Sequence, residues 1–135
     1  MSSMHSAKRE PADAILVRDG DLEQLERLIA ASGRRRDEAP LIALQDELDR
    51  AQVVAADDMP DDVVAMHSRV RFIDEDSGVE ETLTLVYPFE AEPTGGRVSV
   101  LAPVGTALLG LRVGQSIDWQ LPTGRARRLR VVAVG

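Results

Sequence analysis

Apolar and polar residues follow two different rhythms along this chain, and the change of rhythm divides it. In the first part the period is three to four residues: Leu22, Leu25, Leu28 and Ile29 recur at helical spacing, with Glu23, Gln24, Glu26 and Arg27 on the other face. Asp19 or Gly20 is placed to cap this helix and Gly33 to end it. Arg34 to Ala39 reads as a charged loop. Pro40 suits the first turn of a second helix, whose Leu41, Leu44, Leu48 and Ala51 form a narrow apolar seam. Two such helices joined by a short loop predict an antiparallel hairpin, a short coiled coil over residues 14–56. Ala14 to Val17 fits either a short edge strand or a segment docked on the first helix. Residues 1–13 are polar and read as a flexible tail.

From Val63 onward the period falls to two. Arg69 to Ile73 alternates as a strand, Asp74 to Gly78 is a turn, and Thr82 to Tyr87 is a run of β-formers that stops at Pro88. After a loop from Glu90 to Gly96, the chain reaches its densest apolar stretch, Val98 to Val134. Val98 to Leu101 favours a strand, Pro103 opens a brief helix, and Gly110 can take the left-handed conformation that closes it. Ile117, Trp119 and Leu121 alternate with polar partners, Pro122-Thr123-Gly124 supplies a turn, and Leu129, Val131 and Ala133 resume the alternation. Asp57 to Asp62, with Pro60 blocking helix continuation, reads as an acidic linker over 57–62. The expected class is α+β: a helical hairpin followed by an antiparallel β domain over 63–135 that holds one short helix.

Composition narrows the function. At 135 residues, 44% hydrophobic and 29% charged, the chain has the makeup of an ordinary globular protein. The net charge of −7 sits entirely in the first half, where Met1 to Asp62 carries 15 acids against 8 bases, while the remainder has 8 of each. Such a surface repels nucleic acid, and four aromatic residues (Phe72, Tyr87, Phe89 and Trp119) are few for a base-stacking platform. Direct sequence-specific nucleic-acid binding is therefore not expected. The absence of cysteine excludes thiol chemistry and fits a reducing compartment, and no apolar run approaches the length of a membrane span. A cytoplasmic protein with no membrane association is expected.

Polar clusters that could hold chemistry have plainer readings. Asp74-Glu75-Asp76 lacks the ligand spacing of a calcium loop and reads as a solvated turn. His5 and His67 have no companion at metal-ligand spacing, and Gly95-Gly96 has no phosphate-loop lysine around it. No metal or cofactor is expected. Arg125, Arg127, Arg128 and Arg130 form the one basic concentration of the second half, read as the protective charge of an edge strand.

The run APVGTALLGLRVGQSIDWQLPTG (residues 102–124) resembles the C-terminal domain of the bacterial GreA/GreB transcription elongation factors, itself similar to FKBP-type prolyl isomerases. ELDRAQ, MPDDVVAMHSRVRF and TLVYP further upstream resemble the family's shorter, Rnk-type members, the regulators of nucleoside diphosphate kinase. The resemblance implies a partner, RNA polymerase, and two sets of contact residues. In Gre factors a serine, an aspartate and a proline at alternate positions of the strand-to-helix junction touch the polymerase rim. Ser99 and Pro103 stand at the serine and proline positions, and Leu101 replaces the aspartate. Gre factors also insert a long coiled coil into the secondary channel, where acids at its tip help hold a catalytic magnesium ion. Here the tip carries Asp37 and Glu38 beside Arg34, Arg35 and Arg36, on helices expected to reach only roughly 20 Å. The resemblance therefore implies a non-catalytic, monomeric regulator that occupies the channel entrance, competes with Gre factors and influences nucleoside diphosphate kinase levels. Prolyl isomerisation and transcript cleavage through Asp37 and Glu38 are the alternative readings.

Overall fold

Val17 lies beside Val53 in a parallel pair of strands, and that pairing closes the N-terminal part of the chain. The computed structural model describes residues 15–120 and 126–135. The expected tail of residues 1–13, with His5, lies outside them, as do Leu121, the expected turn at Pro122-Thr123-Gly124, and Arg125. Strand β1 (Leu16–Arg18) leads into helix α1 (Asp19–Ala31), and a 3-10 turn (Gly33–Asp37) joins it to α2 (Ala39–Asp49), followed by β2 (Gln52–Val54). Parallel strands require a crossover connection, and here the helix pair is the crossover. The expected helical hairpin is thus framed by two strands as β-α-α-β, and the second of them, β2, is not among the expected elements. Of the two options for Ala14 to Val17, the structure shows a strand at Leu16–Arg18; Ala14 lies outside the described residues.

Local chemistry explains the helix ends. Arg18 occupies the N-cap without a side-chain cap bond, so Asp19 sits inside the first turn of α1 rather than capping it. Asp19 and Asp21 complement the helix dipole there. Gly33, at φ 56°, reverses the chain after α1, and Pro40 lies in the first turn of α2.

The second part is a five-stranded sheet of β3 (Arg69–Asp74), β4 (Glu80–Val86), β5 (Arg97–Ser99), β6 (Ser116–Gln120) and β7 (Ala126–Val134), in the order β5-β4-β3-β7-β6. Helix α3 (Pro103–Leu108) lies between β5 and β6 in sequence. The sheet is mixed rather than antiparallel, because β5 runs parallel to β4. Two 3-10 turns, Pro88–Glu90 and Pro93–Gly95, bring the chain back far enough for that. Strand β7 is central, between β3 and β6, so the edge-strand reading of its arginines is corrected.

One buried cluster spans both parts, from Ile15, Val17, Leu25 and Leu44 to Val70, Leu85, Leu108 and Leu129. Helix α2 packs on α3 as well as on α1, so its leucine seam also serves the β part. At Gly110, φ is 81° and an added Cβ would collide with the Ile15 side chain, so the end of α3 and the residue leading into β1 touch only because glycine is there. Arg18 completes the junction: its Nη2 donates to the Met66 carbonyl at 3.0 Å and its Nε to Asp21 at 2.9 Å.

Candidate functional site

Ser99, Leu101 and Pro103 come together in one tight turn between β5 and α3. Pairing with β4 sets Ser99 beside Val86. The Ser99 hydroxyl oxygen accepts the Leu101 N–H at 3.0 Å, its carbonyl accepts the Ala102 N–H at 2.9 Å, and the Thr106 hydroxyl donates to the Val100 carbonyl. A Cβ at Gly105 would collide with the Ser99 carbonyl, so glycine lets α3 lie directly against the strand end. Leu101 is half-buried and packs on the core, while Pro103 is exposed in the first turn of α3. The turn is fixed by its own hydrogen bonds, and its Leu101 side chain packs on the core at the position to which the resemblance assigns a carboxylate.

A second cluster, which sequence reasoning missed, flanks this turn. The Pro88–Glu90 turn packs on β5 and holds Phe89 outward at 85% exposure. Phe89 stacks on Tyr87 with ring centroids 6.0 Å apart and planes 7° from parallel. His67 approaches Tyr87 edge-on at 5.6 Å, and its Nε2 lies 2.8 Å from Glu90 Oε1, which also accepts the Tyr87 N–H at 3.2 Å. His67 is a non-glycine residue at φ 70°, a strained conformation that its surroundings maintain. The His67 contact, opposed by partial desolvation and helped by the Tyr87 N–H, holds the Glu90 carboxyl below the usual range. Burial, with the Asp21 carboxylate nearby, pushes the Tyr87 phenol up to about 12. His67 reads as incidental because its partner is distant in sequence; the pattern Tyr87-Pro88-Phe89 was the available signal.

The tip residues Arg35, Asp37 and Glu38 share the turn between α1 and α2 and are exposed, as is Arg34. Glu38 is the N-cap of α2 but makes no side-chain cap bond. The tip and the β5–α3 turn lie on different elements.

The acidic segment at the end of β3 departs from its reading as a solvated turn: Asp74 is the last residue of β3 and is buried, held by hydrogen bonds and an ion pair, while Glu75 and Asp76 follow in the turn. Buried Asp74 accepts the Asp76 and Ser77 N–H groups at 2.9 and 3.3 Å through Oδ1, and Arg127 Nε at 2.7 Å through Oδ2. These bonds, the Asp76 N–H foremost and then Arg127, hold its carboxyl below the ordinary aspartate value. Glu75 pairs with Arg128 and Arg130 at 3.3 and 3.8 Å, and Arg128 with Asp118 at 3.2 Å, so the arginines of β7 belong to a cross-strand charge network. Among the described residues, no group of three or more His, Cys, Asp or Glu is arranged to hold a metal ion. No described helix is long and apolar enough to cross a membrane.

Residues 59–135 match the family "Transcription elongation factor, GreA/GreB, C-term", and residues 13–54 match "Rnk N-terminus". This chain belongs to the GreA/GreB family. It is 44% identical over 119 residues to the regulator of nucleoside diphosphate kinase of Escherichia coli (strain K12), covering 87% of this chain and 86% of that protein. To the transcription elongation factor GreA of Rhizobium etli (strain CIAT 652) it is 34% identical over 106 residues, covering 78% and 67% respectively. Among solved structures, the prokaryotic transcription elongation factor GreA/GreB from Nitrosomonas europaea superposes with a TM-score of 0.77 at 42% identity, over 89% of this chain and 98% of that one.

Proposed function

We propose that this chain is a non-catalytic regulator of transcription that binds RNA polymerase at the entrance of the secondary channel and competes there with Gre factors. An influence on nucleoside diphosphate kinase levels follows downstream, as the name of its Escherichia coli relative suggests. Docking runs through the β5–α3 turn with Ser99, Leu101 and Pro103, and the α1–α2 turn with Arg35, Asp37 and Glu38 faces the channel. The observation that carries the reading is helix length. On a GreA/GreB fold, helices of 13 and 11 residues reach only about 20 Å, too short for the long insertion that the resemblance attaches to transcript cleavage. Exposed Arg34 and Arg35 beside Asp37 and Glu38 also weaken the tip as a cation site. The protein acts by occupancy.

Competition tests it: a labelled Gre factor on core RNA polymerase is titrated with this protein at fixed salt. Displacement is the expected result. A folded sample that leaves the label bound overturns the reading.

A further inference from the structure

We infer that Phe89 is an aromatic anchor for the same RNA polymerase surface that the β5–α3 turn contacts, and that the His67–Glu90 pair positions it. The inference rests on the function proposed above and names a contact within that docking face. A phenylalanine left 85% in water, in the turn that follows β4, forgoes the burial of a large apolar ring, and a partner can recover it. The ring is also prepared for that role. It is stacked on Tyr87, and its turn is fastened by Glu90, which reaches both the Tyr87 N–H and His67. His67 holds a left-handed backbone that non-glycine residues adopt only at a cost, in the position that makes this fastening. The backbone that carries the ring is thus fixed before binding, which lowers the ordering cost.

Position identifies the partner. The turn bearing Phe89 packs on β5, whose last residue is Ser99, so that turn lies beside the strand leading into the proposed docking turn. That turn has lost the carboxylate of the Gre pattern to Leu101, and an exposed ring at its flank replaces a charged contact with an apolar one. A second copy of this chain fits poorly. A stable dimer needs about 800 Å² from each partner, and one aromatic side chain supplies about 200 Å². Among the described residues the other exposed large apolar side chains are on separate elements, Ile42 on α2, Val53 on β2 and Val113 in the loop before β6, and none belongs to the turn that carries Phe89. Val79 precedes β4, a strand length of roughly 20 Å from its far end.

The test measures binding of full-length wild type, Phe89→Ala, His67→Gly and the double variant to core RNA polymerase, with circular dichroism and sedimentation on each. Expected are at least about tenfold weaker binding for Phe89→Ala, a smaller loss for His67→Gly, and no further loss in the double variant. Glycine accepts the left-handed backbone at position 67, so this variant removes the imidazole's contacts with Glu90 and Tyr87 without forcing a new backbone conformation. Wild-type binding that Phe89→Ala retains in full overturns the inference and leaves the proposed function standing. Additive losses overturn the positioning role of His67. Concentration-dependent dimerisation abolished by Phe89→Ala assigns the ring to self-association and overturns the polymerase contact. Failure of the wild type to bind polymerase removes the proposed function itself, and this inference with it.

Discussion

Gly110 passes Ile15 with no room for a methyl group between them, and this approach packs the end of α3 against the residue that leads into β1. It makes the relation between the helices and the sheet a matter of direct packing.

Gly110→Ala therefore meets two obstacles, a backbone at φ 81° and a collision with the Ile15 side chain. The expected loss is on the order of 3 kcal/mol of unfolding free energy, measured by urea titration. A loss under 1 kcal/mol would show that the two elements separate easily.

Leu44 lies on α2, is fully buried, and belongs to the cluster that continues into the sheet. Leu44→Ala should cost about 2–5 kcal/mol, and hydrogen exchange should find protection lowered together in α2 and in β3, β4 and β7. Lowered protection confined to the helices would mean that the two parts unfold separately.

Asp74 gives the protein an acid-sensitive element. Its folded pKa is depressed, so its contribution is present above the unfolded value of about 4 and is lost as pH falls through the folded value. Asp74→Asn keeps an oxygen for the turn N–H groups but removes the charge facing Arg127. Wild type should exceed the variant in urea midpoint at pH 7, and the gap should narrow by pH 3. An unchanged gap would remove the carboxylate from the account.

At the tip, Asp37→Ala combined with Glu38→Ala should leave displacement of a Gre factor unchanged, and a stalled elongation complex should show no transcript shortening with either protein. The fold is expected to tolerate the change, since both side chains are exposed and Glu38 makes no side-chain cap bond. Shortening that disappears in the double variant would replace occupancy with cleavage.

What the sequence determined by itself was whatever depends on near neighbours. The leucines of α1 and α2, the alternation in β3, β4 and β7, the Pro103 start and Gly110 stop of α3, and the turn at Asp74 follow from local spacing and backbone preference. The motifs around residues 102–124 were equally legible, and they led to the family. Tertiary structure decided the rest. Gln52–Val54 is a strand only because β1 lies beside it, and its exposed Gln52 and Val53 give no alternation to read. The parallel run of β5 and the central place of β7 depend on which edges meet, so three arginines that looked like edge protection belong to a charge network. The clip of His67 on Glu90, which holds the turn bearing Phe89, joins residues far apart in the chain. Contacts of that kind depend on how the sheet and its loops close, and no local pattern encodes them.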